Sequence, residues 1–270
     1  MTLTTLPLSR TGGTVALREA GAGEPLVLVH GVGMQSAAWA PQIEALSQTH
    51  RVIAVDLPGH GRSSPLPANS GLPAFVAWLN DVTTTLALGP VNLAGHSMGA
   101  LIAVGFASTY PDATKRVALL NGVFRRDASA RAAVEARAAE IQAGAMDLKT
   151  PLDRWFGDTA TDRAARTKVA GWLSGVERSG YGTAYAAFAA GDRTYADQMG
   201  DIRCPFLAIT GEDDPNSTPA MSRAMAQAAC QGEAVVVSGH RHMVNLTAPD
   251  VVTEHLKAWL ARPADQKVTS

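Results

Sequence analysis

Gly95-His96-Ser97-Met98-Gly99-Ala100 is a G-x-S-x-G pentapeptide followed by alanine. It stands between a buried-strand run at residues 91–95 and an apolar helical run at residues 97–109 that stops before Pro111. A sharp strand-to-helix turn lifts a serine hydroxyl out of a sheet, and the crowded backbone around it leaves room only for small neighbours. The helix that follows aims free N–H groups and its positive dipole end at the same point, where charge on an attacked carbonyl would collect. A Gly-rich turn with an inert serine is the plainer alternative. The strand before the motif and the helix after it argue against that alternative.

Outward from the motif, strands and helices alternate. Residues 14–20 alternate enough for an edge strand, and residues 26–30 form an unbroken apolar run ending in His30-Gly31-Val32-Gly33. Residues 36–47 read as a helix with Trp39, Ile43 and Leu46 on one face, and residues 51–56 as a second buried strand closed by Leu57-Pro58-Gly59-His60-Gly61. A helix at 72–88 carries Pro73 in its first turn, and residues 116–120 form another strand. Short apolar runs without alternation suit strands buried on both faces, so the pattern predicts a mostly parallel, doubly wound α/β sheet. The alternation returns with strands at 205–210 and 234–237 and helices at 218–229 and 249–260, before a polar tail at 261–270 that is expected to fray. No buried-strand run occurs between about 122 and 200, where an Ala- and Arg-rich stretch precedes Trp155, Phe156, Trp172, Tyr181, Tyr185 and Phe188. The expected organisation is a core of residues 1–121 and 196–270 with a helical cap inserted at 122–195.

Composition narrows the function classes. Hydrophobic residues make up 46% of the 270-residue chain and charged residues 17%, which suits a folded domain with a large core. The formal net charge of −1 offers no global attraction to nucleic acid or to an acidic membrane, so neither is expected as a partner. The opening residues lack a basic segment followed by an apolar run, and no stretch nears the roughly 20 apolar residues of a membrane span. Cys204 and Cys230 have no CxxC spacing and read as two free thiols, so a cytoplasmic location is expected.

A serine needs a base to take its proton, and the base needs a third group to hold it. The loops after two late strands supply candidates: Gly211-Glu212-Asp213-Asp214 and Gly239-His240-Arg241-His242-Met243. Both lie at carboxyl ends of strands, where ligand sites collect in open parallel sheets. Three carboxylates and two histidines compete. An oxyanion needs two N–H donors at about 3 Å. Met98, next to the serine, is one, and Val32 in the His-Gly-Val-Gly loop is the other expected donor. That loop lacks the third glycine of a GxGxxG nucleotide loop, since Ser36 stands there. His60 reads as part of a structural turn, with no HxH, HExxH or paired-cysteine pattern near it, so no metal and no cofactor are expected.

Taken together, residues 30–34, 56–63, 95–100, 211–219 and 239–243 resemble the α/β-hydrolase superfamily. The resemblance implies a Ser97-His242-Asp214 triad, because the family's acid and histidine each stand three residues after a glycine, here Gly211 and Gly239. It also implies oxyanion donors at Val32 and Met98. The small-molecule branch is most similar: enol-lactonases, carbon–carbon bond hydrolases of aromatic degradation, cofactor-free haloperoxidases and small esterases. Ser97 stands where the family's epoxide hydrolases and haloalkane dehalogenases carry aspartate, which disfavours those chemistries.

The expected activity is hydrolysis of a small-molecule carboxylic ester or lactone through an acyl-enzyme. Alternatives are carbon–carbon cleavage of a ring-fission product, perhydrolysis, and a non-catalytic binding module on the same fold. The substrate is expected to be uncharged or weakly anionic. Arg125, Arg126 and Arg193 are candidate carboxylate binders, although exposed arginines on a cap are the plainer reading of each.

Overall fold

The computed structural model describes residues 2–264. An eight-stranded sheet runs in the order β1-β2-β4-β3-β5-β6-β7-β8. Its strands are β1 (Thr2–Pro7), β2 (Thr14–Ala20), β3 (Pro25–Val29), β4 (Arg51–Val55), β5 (Val91–His96), β6 (Thr114–Leu120), β7 (Phe206–Gly211) and β8 (Gly232–Val237). From β4 to β8 every neighbouring pair is parallel, whereas β1 and β2 pair antiparallel with each other and β2 antiparallel with β4.

The unbroken apolar runs have a direct cause. Along β3, Val27 and Val29 pack into one core and Leu26 and Leu28 into another. The same split separates Ile53 and Val55 from Val52 and Ala54, and Phe206 and Ala208 from Leu207 and Ile209. Successive side chains point to opposite faces, and both faces are covered, so both sets must be apolar. One face carries α2 (Leu72–Thr85) and α3 (Met98–Thr109), and the other α1 (Ala40–Leu46) and α10 (Pro249–Leu260). Trp39 and Trp259 are fully buried in the second core and Trp78 in the first. Removing any of these rings would cost about 3–5 kcal/mol.

Two expectations need correction. Residues 14–20 are not the sheet edge, because β1 covers them, with Thr2 opposite Glu19 and Pro7 opposite Thr14. Exposed and Thr-rich, β1 lacks an apolar alternation to betray it, and its pairing is set by the turn through Gly12 and Gly13, both at positive φ. The helix expected at 36–47 is broken into a 3₁₀ turn, Ser36–Trp39, and α1, with proline in the first turn of α1. Pro41 has no N–H for a bond to the preceding turn, so the helix restarts there. A short helix, α9 (Val244–Thr247), is an addition to the expected elements. The remaining predicted segments agree with the observed ones to within a few residues at their ends. Of the expected frayed tail, residues 265–270 lie outside the described residues.

Between β6 and β7 the chain is helical: α4 (Ala128–Gln142), α5 (Lys149–Trp155), α6 (Ala160–Ser174) and α7 (Arg178–Gly191), followed by a 3₁₀ segment at Ala196–Asp201. Asp127 caps α4, Thr159 and Asp162 form a capping box on α6, and Glu177 caps α7, so three of these helices start on residues that satisfy their free N–H groups. The segment is anchored through Leu152, Phe156, Ala165 and Val169, which pack with Met34 and Met243 in the loops beyond β3 and β8 and with Ala38 in the 3₁₀ turn. The remaining helix, α8 (Pro219–Ala228), joins β7 to β8. Among the described residues no helix is long and apolar enough to cross a membrane, and both cysteines are free.

Candidate active site

The carboxyl end of β5 turns into α3 through Ser97, whose φ of 54° and ψ of −113° lie outside the ordinary regions. A non-glycine residue held there stores about 1–3 kcal/mol. The turn is tight enough that a Cβ on Gly95 would run into the carbonyl of Gly99, and one on Gly99 into the carbonyl of Val29. The glycines of the motif are thus space requirements. Ser97 is 7% exposed and forms part of the wall of a cavity of about 240 Å³.

His242 and Asp214 meet at the ends of the neighbouring strands. The Nδ1 atom of His242 donates to Oδ2 of Asp214 at 2.8 Å, with both side chains buried. His242 lines the same cavity as Ser97. Asp214 is well supplied with donors: Asn121 Nδ2 at 2.8 Å to Oδ2, and the Asn216 and Ser217 N–H groups at 2.8 and 3.1 Å to Oδ1. Burial would raise its pKa. The facing His242, its hydrogen bond, and the Asn121 and Asn216 donors outweigh burial, so the carboxyl stays below its usual range and ionised. With Nδ1 engaged, Nε2 is the imidazole nitrogen left to accept a proton.

The rivals stand apart. Glu212 and Asp213 are exposed, and Glu212 accepts from Ser238 Oγ at 2.5 Å. His240 is bound to Thr247 Oγ1 at 2.9 Å. Val32 and Met98, the two expected donors, both lie beside the serine: Val32 borders the cavity and Met98 opens α3. Among the described residues, neither backbone N–H donates to a protein acceptor.

Other contacts were not legible in the sequence. Trp155, at the end of α5, stacks on His242 with ring centroids 5.8 Å apart. Arg241 donates from Nη1 to the carbonyls of Asp153 and Phe156 at 3.0 and 2.8 Å, tying the histidine loop to α5. Asn121 follows β6 at φ 49°, and its amide bridges Asp214 and the Arg241 carbonyl. An Asn at a strand end is the one local signal that could have pointed to it.

A family model described as the alpha/beta hydrolase fold matches residues 24–249. The chain belongs to the α/β-hydrolase family. A relative from Acinetobacter baylyi, (E)-2-((N-methylformamido)methylene)succinate hydrolase, is 54% identical over 242 residues, covering 90% of this chain and 92% of that protein. Among solved structures, the enol-lactonase from Burkholderia xenovorans LB400 is 26% identical with a TM-score of 0.84, covering 96% of this chain and all of that one (100%). A thermophilic esterase from Thermogutta terrifontis, solved with malate bound, shares the fold at 24% identity and a TM-score of 0.86, covering 96% and 98%. The chain is a hydrolase.

In this α/β-hydrolase three further histidines are buried beneath the site. His30 Nδ1 donates to the Gly31 carbonyl at 2.7 Å and its Nε2 accepts from Leu57 N–H at 2.9 Å. His60 Nδ1 donates to the Pro58 carbonyl at 3.0 Å and its Nε2 accepts from Gly33 N–H at 2.9 Å, pinning the loop that carries Val32. His96 Nε2 donates to the His242 carbonyl at 2.9 Å. Among the described residues no His, Cys, Asp or Glu cluster could hold a metal ion.

Burial holds these imidazoles neutral. It takes His60 down to about 4 and, with the nearby His242, His96 down to about 3, against an ordinary 6.5, and it puts His30 well below 6.5. Below about pH 6.5 the unfolded chain takes up protons that the folded chain refuses, so stability is full above that pH and is lost as pH falls toward 4 and 3. The urea midpoint is expected to fall steadily over that window, well before most carboxylates titrate. A midpoint that stays level from about pH 7 to about pH 4 would contradict the neutral, buried assignment.

Proposed function

We propose that this α/β-hydrolase is a serine hydrolase of small unsaturated dicarboxylates that carry an N-formyl group. The supporting observation for the chemistry is the buried His242–Asp214 pair bordering one cavity with a strained Ser97. Support for the substrate class is the 54% identity to the relative whose name specifies an N-methylformamido-methylene succinate. That name contains no ester or lactone. Its one acyl carbon outside the two carboxylates is the formyl carbon of an amide.

In this reading Ser97 Oγ attacks the formyl carbonyl while His242 Nε2 takes its proton. Asp214 holds the imidazole and stabilises the imidazolium, and the Val32 and Met98 N–H groups receive the oxyanion. His242 then returns the proton to the departing nitrogen as the carbon–nitrogen bond breaks. Water, deprotonated by His242, attacks the formyl-serine, and formate leaves. The helical segment at 122–195 acts as the cap that excludes bulk water. A cytoplasmic location and a small-molecule substrate are parts of the same proposal.

Carbon–carbon cleavage is the second reading. The named succinate, with its conjugated double bond, is an open-chain skeleton of the kind such hydrolases take. Ester or lactone hydrolysis would use the same acyl-enzyme. Incubation with that formamide and quantitation of products by nuclear magnetic resonance separates them. Ser97-dependent release of one formate per substrate is expected, and a product with a shortened carbon chain but an intact formamide would favour the second reading.

A further inference from the structure

The wall of the cavity above Ser97 includes Arg126, Arg137 and Arg154 and no aspartate or glutamate. The chain as a whole is slightly acidic, so this bias belongs to the cavity alone. It favours the anionic side of the expected uncharged or weakly anionic substrate. It also sorts the arginines singled out in the sequence. Arg125 is exposed and paired with Asp197 at 2.5 Å, Arg193 is exposed and bonded to the Arg126 carbonyl at 3.4 Å, and only Arg126 of the three borders the cavity.

Arg126 is 4% exposed and held in place from one side. Its Nη1 donates to the carbonyls of Phe188 and Ala189 at 3.4 and 3.3 Å, and its guanidinium lies 4.5 Å from the Phe188 ring centroid. Asp192, 3.5 Å away, is more closely engaged by Arg131 Nη2 at 2.9 Å and by the Arg126 N–H at 2.6 Å. Arg126 Nη2 is buried and has no partner. A buried charged donor left without an acceptor is costly, and a guanidinium fixed in this way fits a carboxylate edge. Of the other two, Arg137 is engaged with Glu140 and with the Asp147 carbonyl. Arg154 makes no ion pair or side-chain hydrogen bond to protein among the described residues. It sits on α5 beside Trp155, which stacks on His242.

We infer that Arg126 and Arg154 are the two carboxylate anchors of this site, reading a short-chain dicarboxylate whose acyl group is thereby brought to Ser97. The inference rests on the serine-hydrolase reading only for where the reacting carbonyl lies. Arg126 supplies the buried, pre-set fork. Arg154, on a separate element, supplies a charge that orders when the second carboxylate arrives. Two anchors discriminate against monocarboxylates, because the unmatched arginine keeps no partner.

The test uses succinate, butyrate and succinamide as competitive inhibitors of p-nitrophenyl acetate hydrolysis by the full chain. Wild type is expected to bind succinate about 10- to 100-fold more tightly than butyrate or succinamide. R154A and R126Q are each expected to lose most of that ratio, R126K to keep part of it, and R125A, which removes a nearby charge outside the cavity, to keep all of it. Asp192 retains Arg131 in R126Q. If R126Q fails to fold, the wild-type ligand series and exposed Arg154 still decide. Equal affinity for all three ligands in wild type, or an unchanged ratio in R154A, overturns the inference. A wild type without Ser97-dependent turnover sinks the serine-hydrolase reading instead. The same ratios are then read by calorimetry, which judges the anchors separately.

Discussion

Ser97→Ala is expected to lower kcat by about 10⁴- to 10⁶-fold and leave the fold intact. Alanine keeps the Cβ that the turn already accommodates at φ 54°. It removes the hydroxyl oxygen that forms the acyl bond in the proposed mechanism. The residual rate would come from the oxyanion donors and from substrate positioning, which survive the change. Single-turnover assays on the formamide substrate, with circular dichroism as the check on folding, measure the effect. A variant retaining more than about one hundredth of the wild-type rate would remove Ser97 from the chemistry.

Asp214→Asn should cost about 10⁴-fold in kcat with little change in KM. In the proposed mechanism the acid contributes in two ways. It accepts the Nδ1 proton of His242, which leaves Nε2 free for Ser97, and its charge stabilises the imidazolium. An asparagine amide in its place is expected to donate to Nδ1. That inverts the tautomer and puts the proton on Nε2, the atom that must accept one. Asn121 would still offer its donor to position 214, so the loop should stay in place. The decisive readout is kcat against pH. In the variant, the rate should stay low across the neutral-to-alkaline plateau where wild type is fully active, because a neutral imidazole with its proton on Nε2 does not give it up there. A variant within about tenfold of wild type at neutral pH would assign the orienting role elsewhere.

Much of the fold was legible because its signals are local. A strand buried on both faces needs successive apolar residues, and Leu26, Val27, Leu28 and Val29 carry that need openly. The turn at Gly95–Gly99 demands small residues on either side of one serine, and five positions state it. β1 escaped because an exposed edge strand has no buried face to impose a period. The break between the 3₁₀ turn and α1 was visible in Pro41, but the apolar face of Trp39, Ile43 and Leu46 reads continuously through it.

The sequence by itself determined the α/β class, the position of the serine at a strand-to-helix turn, and the two late loops that could meet it. Each follows from residue sizes and apolar spacing over a few positions. The family resemblance pointed to Asp214 and His242 among their rivals, but only the tertiary structure put the two in hydrogen-bond contact, brought Asn121 to that carboxylate from 93 residues away, and turned Arg126 rather than Arg125 or Arg193 to the cavity. Those choices depend on β6, β7 and β8 lying side by side, so that loops far apart in the chain end at one edge of the sheet. Polar partners at that distance leave no period in the sequence. Hydrogen-bond geometry and desolvation select among them once the sheet has formed.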